Sequence, residues 1–159
     1  TLFRSENQQE AIREAIAAKA VEKRDRNCEY IFKRLLESMV AEDNPGIVNV
    51  SPNSYAEVIG AIKELQKCCK INSKRSILSI LEIAKLMQHS KITYRRKYSD
   101  LLKEIGYSKS YGSFMIRFLK LVERYPDLRN ATTTISFIYH NIEIIENNIH
   151  KFFQESNTR

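Results

Sequence analysis

Residues 74–88 read KRSILSILEIAKLMQ, and their apolar side chains point to almost every side of a helix. The spacing of the isoleucines and leucines, without glycine or proline between them, favours an α-helix. A helix that is apolar nearly all round has to be covered by other elements on all sides. We therefore expect residues 74–88 to form the central helix of a bundle, capped at its start by Asn72 or Ser73.

The chain before the central helix predicts another helix, which opens with a capping box. Ser54 is followed by Glu57 three residues later, a spacing that lets the two side chains bond backbone amides at the helix start. The apolar positions that follow at helical spacing are Val58, Ile62 and Leu65. We expect this helix to close at residues 68–69, after a turn at Asp43–Gly46 and an extended connector over residues 47–53.

Residues 1–44 predict either one long helix to about residue 41 or a helix pair with a soft joint near residue 25. Their middle, Glu22–Asn27, is strongly polar but contains no glycine or proline to end a helix. A helix that is polar on every side persists through charge pairs or by bridging two bodies. We expect this segment to form an arm on a helical core domain of residues 45–159.

Two helices are predicted directly after the central one. The first covers about residues 93–105, after a break at residues 89–90. Gly106 ends it, because glycine readily adopts the left-handed conformation found at helix C termini. The second starts at Ser108 or Ser110, since serine is a preferred N-cap residue.

The last predicted helix begins among residues 132–134 and runs to about residue 155. An apolar stripe follows it at steps of three and four residues: Ile135, Ile138, Ile142, Ile145, Ile149 and Phe152. Such a stripe belongs to a buried helix face. It is either part of the core or, over residues 135–152, the seam of a homo-oligomer.

The composition agrees with these helical patterns. The 159 residues include only 4 Gly and 3 Pro, too few for the frequent tight turns of a β-sandwich or barrel. We expect an all-α, single-domain bundle of about six helices. No stretch has the roughly 20 apolar residues of a membrane span, and the chain from Thr1 onward lacks a signal-peptide pattern.

The residues that carry chemistry do not indicate an enzyme. Cys28, Cys68 and Cys69 are an odd number with one vicinal pair, which favours reduced thiols in an intracellular setting, the cytoplasm, nucleoid or nucleus. The three histidines are scattered singly, so a metal site is not expected. Without a nucleophile beside a base, paired carboxylates or a glycine-rich phosphate loop, we expect no catalysis, cofactor or small-molecule substrate.

The net charge of +7 is concentrated in the middle of the chain. Residues 45–130 carry 16 Lys and Arg against 7 Asp and Glu, whereas residues 1–44 carry 8 against 9 and residues 131–159 carry 2 against 3. The basic segment, residues 63–129, therefore predicts a surface directed at a polyanion, most often nucleic acid. The alternative is that these lysines and arginines only solvate helix faces.

Five cations fall within residues 85–97, with two tyrosines among and beside them. We expect four of them to neutralise phosphates: Lys91, Arg95, Arg96 and Lys97. Tyr94 and Tyr98 could bond a phosphate or stack on a base. Their alternative role is helix packing.

Residues 98–121 read YSDLLKEIGYSKSYGSFMIRFLKL, a helix, a glycine turn, a polar tripeptide and a second helix. A helix-turn-helix needs a short first helix and a second helix with small polar residues on its leading turn, so that it can enter the major groove. The two helices are expected to pack through apolar residues: Leu101, Leu102 and Ile105 against Met115, Phe118 and Leu119.

The leading end of the second helix supplies the candidate base-reading residues. Those expected to face outward are Ser108, Lys109, Ser110, Tyr111 and Ser113, with Arg117 one turn further along. Ser108 and Ser110 would approach a phosphate at the helix N terminus, and the others would reach base edges or the backbone. Gly112 either occupies an exposed helical position or permits close approach to DNA or to a neighbouring helix.

This segment resembles the helix-turn-helix of bacterial plasmid-partition and related DNA-binding proteins. The resemblance covers about 24 of the 159 residues and centres on the order Gly, any residue, Ser, basic, Ser at Gly106–Ser110. It departs from the family pattern at Leu102, where alanine is favoured, and at Gly112, where a β-branched apolar residue is favoured. The resemblance implies binding to duplex DNA.

Together these patterns predict a non-enzymatic module that binds nucleic acid, duplex DNA rather than RNA, through residues 91–120. Its setting would be regulation, replication or maintenance of a mobile element or virus. The alternative is an interaction or oligomerisation domain that docks its basic face on an acidic protein or a nucleoprotein complex.

Overall fold

Seven α-helices follow one another along the part of the chain that the computed structural model describes, residues 6–39, 52–71 and 76–156. They are α1 (Glu6–Glu37), α2 (Tyr55–Ile71), α3 (Ser76–Thr93), α4 (Tyr98–Ile105), α5 (Lys109–Arg124), α6 (Ile135–His140) and α7 (Ile142–Asn148). Short 3-10 helices occupy Arg95–Lys97, Pro126–Asn130 and Ile149–Lys151. These described residues contain no strand, and the prediction of an all-α single-domain bundle is confirmed.

The predicted central helix is α3, and it is buried on most sides. Its buried apolar residues are Ile77, Ile80, Leu81, Ile83, Ala84, Leu86 and Met87. Helices α2 and α5 pack against it from different sides. The helix continues to Thr93, so the break expected at residues 89–90 is wrong. Ser90 is buried, and its hydroxyl donates to the carbonyl of Leu86 at 2.9 Å, which satisfies the serine inside the helix.

The capping box at the start of α2 is confirmed. The amide of Glu57 donates to Ser54 Oγ at 3.2 Å, and the amide of Asn53 donates to Glu57 Oε2 at 2.7 Å. The helix continues past the expected end at residues 68–69 to Ile71. The expected turn at 43–46, most of the connector and the caps at 72–73 lie outside the described residues.

Within the N-terminal segment, Glu6–Glu37 form a single helix, so the helix pair with a joint near residue 25 is wrong. Residues 6–27 of α1 are exposed throughout, and burial begins only near its C-terminal end, at Ile31, Phe32 and Leu35. The Phe32 ring stacks on Phe152 with ring centroids 4.2 Å apart. The last turns of α1 therefore belong to the core, and the earlier turns lie in solvent.

Four of the six residues of the apolar stripe near the C terminus are buried within the chain, whereas Ile135 is half-buried and Phe152 is exposed. Ile138, Ile142, Ile145 and Ile149 are all buried, as expected for a core stripe. The single helix expected over this region is wrong, because the chain breaks at Asn141. Asn141 Nδ2 donates to the carbonyl of Phe137 at 2.7 Å, and its backbone leaves the helical region at φ −119° and ψ 14°. Asparagine side chains compete in this way with helical hydrogen bonds.

In the described part of the chain, no helix combines the length and the apolar character needed to cross a membrane.

Candidate nucleic-acid interface

A tight, fully bonded turn joins α4 to α5. Gly106 has φ +81° and donates its amide to the carbonyl of Lys103 at 3.2 Å, and the amide of Tyr107 donates to Leu102 at 2.9 Å. This pair of bonds is the Schellman arrangement that ends many helices. Ser108 then caps α5, because its Oγ accepts the amide of Tyr111 at 3.1 Å. Both predicted boundaries, Gly106 and Ser108, are confirmed.

The two helices pack as their apolar pattern predicts. The six expected residues are all buried: Leu101, Leu102, Ile105, Met115, Phe118 and Leu119. Gly112 is buried as well, and a Cβ on it would stand 3.1 Å from Leu102 Cδ2 and 3.5 Å from Met87 Cε. Gly112 therefore permits close approach of α5 to α4 and α3, and the alternative of an exposed helical position is wrong.

A concavity of about 310 Å³ opens beside this helix pair. We call it the basic concavity, and its lining consists of Lys91, Arg95, Tyr98, Ser99, Leu102, Lys109, Ser113 and Ile116. Four of these are predicted nucleic-acid contacts: Lys91, Arg95, Lys109 and Ser113. The end of α3, the following 3-10 turn, α4 and the first turns of α5 thus bring separate parts of the basic segment to one place.

None of the lining residues is acidic, because the carboxylates of α4 lie on another face of the helix. Glu104 Oε2 is 3.5 Å from Lys63 Nζ on α2. Burial raises the pKa of Tyr55, also on α2, and the negative charges of Asp100 and Glu104 raise it further. The acidic side of α4 therefore faces α2, and neither Asp100 nor Glu104 lines the basic concavity.

The four predicted phosphate contacts do not all point to this concavity. Lys91 and Arg95 line it, and Lys91 Nζ lies 5.8 Å from the centre of the Tyr98 ring. Lys97 Nζ instead lies 5.1 Å from the centre of the Tyr55 ring, towards α2. Arg96 is exposed and is not part of the lining. We call these four cations the basic cluster. Two of them line the basic concavity, and Lys97 lies towards α2 instead.

The two tyrosines beside the basic cluster are half-buried. Tyr94 makes edge contacts to Tyr55 and His89, with ring centroids 5.8 and 6.3 Å apart. Burial raises the pKa of Tyr98, which forms part of the lining. Tyr94 therefore has the alternative role, helix packing, whereas Tyr98 also presents a surface to the concavity.

Three residues at the leading end of α5 face solvent as expected. Lys109, Ser110 and Ser113 are exposed, and Ser110 lies outside the lining of the concavity. Ser108 is also exposed, with its hydroxyl used as the helix cap.

Tyr111 departs from the predicted arrangement. Its ring packs among Tyr107, Phe114 and Tyr139 at centroid distances of 4.8, 5.6 and 5.5 Å. Burial raises the pKa of Tyr111 to about 12, with smaller contributions from the neighbouring ionisable groups. The expectation that Tyr111 faces outward is wrong. In this aromatic cluster the ring of Tyr111 gains apolar contacts that it would lack in solvent.

Arg117 is exposed in part but carries an ion pair. Its Nε lies 2.7 Å from Glu146 Oε1, and its Nη2 donates to Glu146 Oε2 at 3.0 Å. This two-pronged contact ties α5 to α7. Arg117 therefore presents less free charge to a ligand than the lining cations do.

Ser99 is a lining residue that was not among the predicted contacts. The sequence feature that could have identified Ser99 is its spacing from the other lining residues, because residues 91, 95, 99 and 102 follow one another at steps of four and three. Residues 109, 113 and 116 recur in the same way on α5. The first set spans α3, the 3-10 turn and α4, and the second set lies on α5, so the fold brings the two sets together around the concavity.

No family model matches this chain, and neither a curated protein nor a solved structure shows significant similarity to it.

Proposed function

We propose that this protein binds duplex DNA, without catalysing a reaction, through the basic concavity and the exposed face of the first turns of α5. The single observation that carries the proposal is that Lys91 and Arg95 meet Lys109 and Ser113 around one concavity. Lys91 and Arg95 belong to the predicted phosphate contacts. Lys109 and Ser113 belong to the predicted base-reading end of α5.

The electrostatics around the concavity support a polyanionic ligand. Further exposed cations stand near the lining residues in the sequence: Arg96, Lys103 and Lys120. Such a concentration of positive charge attracts the phosphate backbone and releases its counterions. Because Asp100 and Glu104 lie on the α2 side of α4, they reduce this attraction less than their position in the sequence suggests.

The contact between Leu102 and Gly112 supports a helix-turn-helix interpretation of α4 and α5. The resemblance to partition-type proteins departs from the family pattern at these two positions. In the structure the two positions face each other, with the Leu102 methyl 3.1 Å from a Cβ on Gly112. The larger side chain stands on α4 and the smaller residue on α5, so one departure compensates for the other within the interface.

The proposed contacts to bases form a smaller set than the sequence predicts. Lys109, Ser110 and Ser113 are exposed and short or flexible enough to reach groove edges. Ser108 stands at the helix N terminus, where backbone amides and the helix dipole favour a phosphate. Tyr111 packs in an aromatic cluster and Arg117 pairs with Glu146, so neither is part of the proposed set.

The exposed length of α1 favours a second candidate function, contact with another protein. Residues 6–27 are exposed throughout, and three large apolar side chains are among them: Ile12, Ile16 and Val21 at 38%, 63% and 46% exposure. A solvated helix of this kind is stabilised when it bridges to another body. Sedimentation of the protein over a range of concentrations tests whether this body is a second copy.

The proposed setting, regulation, replication or maintenance of a mobile element or virus, rests on the resemblance to partition-type proteins.

The binding activity itself is tested by titration of labelled duplex DNA, single-stranded DNA and RNA at two salt concentrations. We expect the tightest binding to duplex DNA, with affinity that falls steeply as salt rises. Absence of binding to all three at low salt would contradict the proposal, and a preference for RNA or single strands would replace duplex DNA as the ligand.

A further inference from the structure

We infer that the basic concavity holds one sugar–phosphate unit of the nucleic-acid backbone, with the phosphate among its three cations and the sugar against its apolar lining. This inference rests on the proposed function, because it names which part of the DNA occupies the concavity. We call this binding site for one backbone unit the seat. It differs from a diffuse positive surface, which would hold no particular part of the DNA.

The size of the concavity suits more than a phosphate alone. Its volume of about 310 Å³ is at the lower end of the range of roughly 300–1,000 Å³ for small-molecule sites. It is about ten times the volume of roughly 30 Å³ that one water occupies in the liquid. A phosphate group alone would leave much of this space empty, whereas a phosphate with its attached deoxyribose would fill it better.

The cations of the lining approach from three separate elements. Lys91 is on α3, Arg95 on the 3-10 turn and Lys109 at the first position of α5. A guanidinium can bind a phosphate with two parallel hydrogen bonds, and the two ammonium groups add charge from either side. The hydroxyls of Ser99 and Ser113 lie in the same lining and can donate to phosphate oxygens.

The remaining lining is apolar and distinguishes a sugar phosphate from inorganic phosphate. Leu102 is almost fully buried, and Ile116 and Tyr98 are half-buried. These three residues supply the apolar part of the lining. An inorganic phosphate ion makes no use of such a lining, whereas the carbon atoms of a deoxyribose ring gain from contact with it.

The chain provides closely matched controls for this inference. Arg95 lines the concavity and its neighbour Arg96 does not, although both are exposed arginines of the same 3-10 turn. Ser113 lines the concavity and Ser110, one turn earlier on the same helix, does not. Ser113→Leu would therefore fill the concavity without removing a charge, and Ser110→Leu would add the same side chain outside it.

The first experiment uses 2-deoxyribose 5-phosphate as the probe and records amide chemical shifts of the protein by NMR. We expect saturable shifts concentrated at the lining residues, with weaker binding of inorganic phosphate. Arg95→Gln and Ser113→Leu should weaken sugar-phosphate binding about tenfold, while Arg96→Gln and Ser110→Leu should change it less than about twofold. Thermal unfolding of all four variants checks that they remain folded, and Lys109→Gln replaces Ser113→Leu if that variant does not.

The second experiment measures duplex DNA binding by the wild type, Arg95→Gln and Arg96→Gln, using duplexes with one neutral methylphosphonate linkage at successive positions. We expect one linkage to matter most for the wild type, and Arg95→Gln to lose that sensitivity while Arg96→Gln keeps it.

The outcomes separate this inference from the proposed function. If duplex binding depends equally on Arg95 and Arg96, and no single methylphosphonate linkage weakens it most, the seat is wrong. The proposed function, DNA binding, would still stand in that case. Binding of the sugar phosphate without any duplex binding would support the seat and overturn the proposed function. Failure of the sugar phosphate to shift the lining amides at millimolar concentration would overturn the seat.

Discussion

Leu102 Cδ2 lies 3.1 Å from the position that a Cβ on Gly112 would occupy. This contact sets how closely α5 approaches α4, and Met87 of α3 closes the same space from behind at 3.5 Å. The spacing of the two helices therefore depends on a large residue on one helix and the absence of a side chain on the other. Because Leu102 also lines the basic concavity, the same contact shapes the proposed binding site.

The first prediction concerns this pair. Gly112→Val should destabilise the fold by about 1–3 kcal/mol through overpacking, and Leu102→Ala should cost about 2–5 kcal/mol through the cavity it leaves. The double variant should be less destabilised than the sum of the two, with a coupling of at least about 0.5 kcal/mol. Urea unfolding of the four proteins measures this coupling, and strictly additive losses would show that the two residues do not compensate for each other.

The second prediction concerns the apolar stripe. Ile145 is fully buried, so Ile145→Ala should cost about 2–5 kcal/mol of unfolding free energy. Ile16 is 63% exposed on α1, and the same substitution there should change stability by less than about 0.5 kcal/mol. The measurement is denaturant unfolding together with sedimentation. A small loss at Ile145 combined with a change in oligomer mass would assign the stripe to an interface between copies.

The third prediction concerns the ion pair between α5 and α7. Glu146→Gln frees Arg117 and should raise affinity for duplex DNA about threefold more than Glu143→Gln does. Glu143 is exposed on the same helix, so its substitution makes the same change in net charge. Because the pair is partly exposed, the loss of stability should stay below about 1 kcal/mol. Equal gains in affinity for the two variants would show that only net charge matters.

The fourth prediction follows from the raised pKa of Tyr111, about 12 in the folded chain. The unfolded chain releases this proton near pH 10, so between about pH 10 and 12 the unfolded state binds fewer protons than the folded state. Stability that is complete below about pH 10 should therefore fall as pH rises towards 12. Tyr111→Phe should reduce this alkaline loss, whereas Tyr30→Phe, at an exposed position, should not.

The measurement for the fourth prediction is urea unfolding at a series of alkaline pH values, with tyrosinate absorbance recorded in parallel. An identical pH dependence for wild type and Tyr111→Phe would contradict the assignment of the effect to the hydroxyl of the half-buried Tyr111.

Features that depend on neighbouring residues in the chain were predictable from the sequence. Gly106 ends α4 through its local conformation, so its residue type was sufficient. The start of α5 was narrowed to Ser108 or Ser110, and the structure selects Ser108. The continuous apolar pattern of α3 likewise identified the helix that others cover.

Features that depend on distant contacts were not predictable in the same way. Ser90 and Asn141 have similar polar character, yet one bonds inside a continuing helix and the other accompanies a break. Arg117 finds its partner Glu146, 29 residues further along, only through the tertiary placement of α7, which packs on α1. Tyr111 could have faced solvent at its position on α5, and Tyr139 from α6 helps to draw it into the aromatic cluster.

The most direct test of the central claim is the salt dependence of duplex DNA binding by the wild type and by a variant with Lys91, Arg95 and Lys109 changed to alanine. These three cations line one concavity, and each phosphate contact contributes about 0.9 to the slope of log affinity against log salt. We expect the variant to bind more weakly and its slope to decrease by about 0.9, because the three cations are inferred to hold a single phosphate. The same slope and affinity in both proteins, or no binding by the wild type at low salt, would contradict the account.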